Sequence, residues 1–169
     1  VARDHARIQT SRNRDEDWRA LPWEAQWAYD QILCQEALTY AGVLDYRPGR
    51  LAAIASNATP RRVETAIAKL EAARFVVIDR DTEELLARSY VRHDGVMDRA
   101  NMGKAVGRAL AKVVSLDLHR VVIEELARHH RAFPSLAGWH GLGDLYPDVM
   151  ARVTAMASAM ALPIESREE

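Results

Sequence analysis

The chain has 169 residues, a formal net charge of −1, 49% hydrophobic and 28% charged residues, and one cysteine. That length fits one domain of ordinary size, alone or with a helical appendage, and the composition excludes wholesale disorder. No apolar run approaches the roughly 18–20 residues of a membrane-spanning helix, no apolar signal core follows Val1, and a lone Cys34 excludes an internal disulfide, so a reducing cytoplasm is the expected compartment.

Residues 1–21 read as an N-terminal arm, whose lack of an initial Met points to trimming or an incomplete start. Ala2 to Ser11 is polar, an edge strand or loose chain, and Asp15 to Leu21 suits a short helical turn. Pro22 starts a helix through about Ala37, with Trp23, Trp27, Ile32, Leu33 and Ala37 as core contacts and Cys34 as a buried structural thiol. Thr39 to Tyr46 is a β-rich run in which Gly42 marks a short strand or bulge. Pro48 to Asn57 forms a short helix with Leu51, Ile54 and Ala55 on one face. Thr59 then suits an N-cap and Pro60 the first helical position. From there Val63, Ala66, Ile67, Leu70 and Ala73 recur at the spacing of one buried helical stripe. Phe75 to Ile78 and Leu85 to Tyr90 follow as two strands around a polar tip. The order helix, strand, helix, helix, strand, strand over residues 22–96 predicts a winged helix-turn-helix, mainly α with a small β-wing.

Residues 97–169 read as a C-terminal helical region after a turn at Arg92 to Gly95. A helix from about Arg99 to Val114 is softened by Gly103 and Gly107, and a stronger one runs from Asp117 to about Arg131 with Leu118, Val121, Val122 and Leu126 inward. Pro134 to Pro147, with Gly138, Gly141 and Gly143, reads as loop. A last helix, Asp148 to Leu162, carries Val149, Met150, Val153, Met156, Ala157 and Met160, and Pro163 and a charged tail follow. Its stripe is core or, given its low charge, a helix–helix seam in a homodimer.

The sequence carries no phosphate-cradling glycine motif, no nucleophile elbow and no His-x-x-x-His pair. His119, His129 and His130 read as exposed helix histidines, so no catalytic residue, metal or cofactor is expected, nor an enzyme. Charge distribution is more informative than net charge. Residues 47–75 hold six basic residues against two acidic ones, whereas residues 21–46 hold four acidic and no basic residues. The candidate DNA-binding residues are Arg47, Arg50, Asn57, Thr59, Arg61, Arg62, Thr65 and Lys69, with Arg88 and Arg92 reaching phosphates from the wing's second strand and its exit. Arg forks onto guanine, Asn pairs bidentately with adenine, and Thr or Lys holds phosphate. The wing tip from Asp79 to Glu84 carries four acids and one Arg, which repels a phosphate backbone and reads as facing solvent or a partner.

Ala41 to Leu44, Leu51, Ile54-Ala55, Ala58-Thr59-Pro60, Val63, Leu70-Glu71, Phe75 to Val77, Asp81-Thr82, Glu84 to Leu86 and Tyr90 to Gly95 carry a resemblance. It covers about a third of the chain. The run resembles winged-helix proteins of actinobacteria and their phages and is similar to the N-terminal DNA-binding domains of phage replisome organisers and replication initiators. The resemblance implies phage or prophage origin and binding to origin-proximal or operator DNA, in replication initiation or transcriptional control. An acidic wing departs from that pattern. The rival reading is a winged helix that serves as a protein-interaction adaptor, docking a host or replisome protein without reading DNA.

Overall fold

The computed structural model describes residues 6–161 and is mainly helical, with one small antiparallel sheet. A 3-10 turn (Thr10–Arg14) leads into α1 (Glu16–Ala20), whose N-terminus is capped by Asp15 accepting from the amides of Asp17 and Trp18. Next come α2 (Trp23–Leu33), β1 (Val43–Asp45), α3 (Pro48–Ala52), α4 (Pro60–Ala72), β2 (Val76–Asp79) and β3 (Glu84–Ala87). Then α5 (Tyr90–His93), α6 (Ala100–Leu110), α7 (Leu116–Ala132), α8 (Ala137–Leu145) and α9 (Pro147–Ala159) complete the described chain. None of these helices is long and apolar enough to cross a membrane. The expected end of the last helix at Leu162 to Pro163, the charged tail and the first five residues lie outside the described residues.

Two stripes build the N-terminal half. In α2, Ala25, Ala28, Tyr29 and Ile32 are buried, and in α4, Val63, Ala66, Ile67 and Leu70, each set at i, i+3, i+4, i+7. Thr59 caps α4 by accepting from the Arg62 amide, and Pro60 fills its first position. The helix ends at Ala72, and past its C-cap Ala73 the backbone of Arg74 takes a left-handed φ of 63° so that the Phe75 amide reaches the Leu70 carbonyl at 2.9 Å. β3 is the central strand of the sheet, pairing β1 through Val43–Leu86 and β2 through Val77–Leu86. Gly42 turns the chain into β1 at φ 80°, where a Cβ would lie 2.9 Å from the Tyr90 Cβ.

Several expectations need correction. The helix after Pro48 stops at Ala52, because the amides of Ile54 and Ala55 turn to carbonyls three residues back, leaving Ile54 about half exposed. Trp23 stands off the buried stripe of α2 and is 66% exposed, and Ala37 and Cys34 are exposed beyond the helix's end. The final strand ends at Ala87, and Tyr90 and Val91 belong to α5.

The Gly-rich stretch expected to be loop is α8. Its glycines serve close approach between helices: a Cβ on Gly138 would overlap the backbone of Met97, and one on Gly141 the carbonyl of Ala100. From the other side, a Cβ on Gly103 of α6 would overlap the Gly138 carbonyl. α6 and α8 therefore pack nearly backbone to backbone, while α7 carries the main buried stripe of this half against α9. His129, expected on the surface, is buried beside Phe133 and Trp139. Burial, with His93 and Arg92 adding repulsion, lowers its pKa below the ordinary histidine value.

Candidate nucleic-acid interface

The buried stripe of α4 fixes what its other side presents. Because Val63, Ala66, Ile67 and Leu70 face the core, Arg61, Arg62, Thr65 and Lys69 face outward. These four, with Thr59, line one cleft of about 350 Å³ that is closed on its far side by Pro22 and Glu24. Arg61 and Lys69 make no ion pair among the described residues. The Arg62 guanidinium donates to the Asn57 carbonyl at 3.0 Å and lies 4.0 Å from Glu24. Thr65 donates its hydroxyl to the Arg61 carbonyl at 2.9 Å, and the Thr59 hydroxyl is occupied as the cap. The side of α4 nearer β1 is less basic: Glu64 acts electrostatically on the Tyr46 hydroxyl, whose pKa is raised first by burial and then by that carboxylate.

The other candidates sit elsewhere. Arg47 and Arg50 line a separate cleft at the junction of α3 and β1. There Arg47 is 3.3 Å from Asp45 and 3.8 Å from Glu83, which offsets its charge. Asn57 borders an apolar groove of about 140 Å³ between α2 and α4, floored by Trp27, Ala58, Val63 and Ala66 and walled by Trp23.

Arg88 and Arg92 are a correction. Both turn inward to Glu125 of α7, which has no exposed surface. The Arg92 Nε donates to one oxygen at 2.5 Å, Arg128 donates to the other, and the Arg88 Nε lies 3.9 Å away with no hydrogen-bond partner among the described residues. A carboxylate this deeply buried needs cations against it to offset its lost hydration, so these two arginines are turned towards α7 and tie the sheet and α5 to it. The pairing of Glu125 with Arg88 and Arg92 gave no signal in the sequence, because both arginines lie more than thirty residues upstream, and Arg128 three residues on reads as an ordinary helix-surface pair.

The hairpin tip is also less exposed than expected. Glu84 turns inward and accepts from the amides of Val114 at 3.1 Å and Ser115 at 2.7 Å, just ahead of α7. Arg80 donates to both oxygens of Glu71 on α4, and this bond lowers the Glu71 pKa below the usual carboxylate value. Asp79 accepts from the amides of Asp81 and Thr82, shaping the turn. Asp81 and Glu83 remain exposed.

Compared with protein-family models, with curated proteins and with solved structures, the chain matches none.

Proposed function

We propose that residues 22–96 form a winged helix-turn-helix and that the chain binds double-stranded DNA through α4, in replication initiation or transcriptional control. The observation that carries this reading is the single outward face on which Arg61, Arg62, Thr65 and Lys69 stand together, on a helix whose opposite face is locked into the core. A strand order in which β3 lies between β1 and β2, with two helices between β1 and β2, supports the same reading. In it, α3 and α4 are the helix-turn-helix, the β2–β3 hairpin is the wing, and contact runs through the second helix. The wing adds little, because its one basic residue, Arg80, is paired with Glu71 and its outer acids repel phosphate.

Arg61→Ala with Arg62→Ala tests the assignment. Each lost phosphate contact lowers the slope of log affinity against log salt by about 0.9, so the double variant is expected to lose roughly 1.8. Fluorescence anisotropy of a labelled duplex, titrated at several KCl concentrations, measures it. An unchanged affinity and slope would remove α4 from the interface.

The second reading, an adaptor that docks a protein, is favoured by one observation. Glu24 stands on the rim of the α4 cleft, where it repels a phosphate backbone.

A further inference from the structure

Beside the basic face of α4 lies the apolar groove between α2 and α4, in which Val63, Ala66, Ala58 and Trp27 belong to the core packing but Trp23 does not. Trp23 and Glu24 open α2 at its rim, Trp27 and Ala66 form its floor, and Arg62 closes the side shared with the cleft. Trp23 is 66% exposed, and it sits on a helix whose core stripe is complete without it. A tryptophan left in water costs apolar hydration that a small or polar residue there avoids. Ile54, just ahead of the groove wall at Ala55, is about half exposed as well. Trp23 and Trp27 are thus the large apolar side chains of the groove itself, Arg62 is the cation in its lining, and Arg61 and Lys69 stand in the adjoining cleft that shares Glu24, Arg62 and Ala66 with it.

We propose that this groove is a docking site for an acidic peptide segment of a partner protein, which seats one bulky aliphatic or aromatic side chain against Trp23 and Trp27. The groove volume of about 140 Å³ is the size of one such side chain and too small for a drug-sized ligand. Its lining offers little polar complement to a base edge, which favours an apolar anchor over a nucleotide. Arg61 and Lys69, unpaired among the described residues, are the complement to carboxylates flanking that anchor. Arg62 already has the Asn57 carbonyl at 3.0 Å and Glu24 at 4.0 Å, and Glu24 repels carboxylates at its own rim, so Arg61 and Lys69 supply most of the positive complement. The inference gives a site to the adaptor reading and does not depend on α4 reading DNA.

The test uses the full chain and a synthetic peptide in which a Leu pair is flanked on both sides by Asp and Glu. Binding is followed by the peptide's fluorescence anisotropy and by the protein's tryptophan emission, since Trp18 and Trp139 are buried and Trp23 is not. Binding is expected to weaken about tenfold or more when the Leu pair becomes Ser, and likewise in Trp23→Ala, whose exposed position spares the fold. Equal binding by the Ser peptide, or by Trp23→Ala, would reduce the contact to charge alone and overturn the proposal. So would an absence of peptide binding. If a DNA duplex binds the same preparation while the peptide does not, the groove proposal falls and the DNA reading stands.

Discussion

Substituting single glycines by alanine separates two roles that glycine plays in this chain. In a helix interior, Gly→Ala ordinarily stabilises by about 1 kcal/mol, because glycine has more backbone freedom to lose. At Gly143 of α8 the added Cβ meets only the Met150 side chain, at 3.5 Å, which is ordinary contact. Gly143→Ala is therefore expected to gain up to about 1 kcal/mol, or about 2–4 °C in Tm for a chain of this size. At Gly103 of α6 the same methyl overlaps the Gly138 carbonyl and lies 2.9 Å from the Gly138 Cα. That is roughly 1 Å inside the usual carbon–carbon separation of about 3.5–4.0 Å. Backbone cannot rotate away as a side chain does, so α6 and α8 must part by on the order of 1 Å. A gap of that size forfeits about a quarter to a half of each contact's dispersion well along the seam. Overpacking of this kind costs about 1–3 kcal/mol or more, which outweighs the helix gain. Gly103→Ala is expected to melt about 2–10 °C below the parent, followed by circular dichroism on heating. Equal upward shifts for both variants would refute the reasoning, since they would mean that no backbone stands opposite Gly103.

Glu125→Gln removes the charge that holds Arg88, Arg92 and Arg128, and breaking a buried pair from one side costs about 3–5 kcal/mol. The arginines are 30–43% exposed and regain some hydration, so roughly 2–4 kcal/mol is expected in urea unfolding; a loss under about 0.5 kcal/mol would contradict the buried cluster. Glu84→Ala frees the amides of Val114 and Ser115, with an expected cost of about 1–3 kcal/mol and faster hydrogen exchange confined first to the opening turn of α7; protection unchanged there would refute the cap. His93, His119 and His129 are all held below the ordinary histidine pKa, mainly by burial. The unfolded chain therefore takes up protons first, so the full stability found above about pH 6.5 is lost as pH falls through the histidine range. Glu71, whose pKa is lowered, acts only at more acidic pH. A Tm that is flat from pH 7.5 to 5.5, or a parent and a His129→Phe variant with the same slope, would contradict this assignment.

The parts of the fold legible in the sequence are those set by local chemistry. The stripe of α4 from Val63 to Leu70, its Thr59-Pro60 start and the antiparallel hairpin follow from spacing and capping alone, whereas Ala73, expected in that stripe, lies exposed past the helix end. Apolar character alone puts Trp23 in the core, but its phase does not: it stands two residues before Ala25, on the side of α2 opposite the stripe that Ala25, Ala28, Tyr29 and Ile32 define. α8 was hidden for a different reason. Glycine lowers helix propensity, and only the partner helix reveals that each missing Cβ is a contact. Of the site, the outward set Arg61, Arg62, Thr65 and Lys69 follows from the inward one. The loss of Arg88 and Arg92 to Glu125 does not, because a buried carboxylate in the pair Glu124-Glu125 looks the same in sequence as an exposed one.

Glu84 and Glu125 also impose a schedule on synthesis. The Arg92–Glu125 bond spans 33 residues and the Glu84–Ser115 bond spans 31. At a translation rate of about 5–20 residues per second, the hairpin waits roughly 2–7 s for the helix that completes it. Throughout that interval the nascent chain carries two arginines without their acid and an acid without its amides. A ribosome-bound chain stalled before Glu125 thus differs chemically from the finished protein in the very segment whose own sequence is already complete.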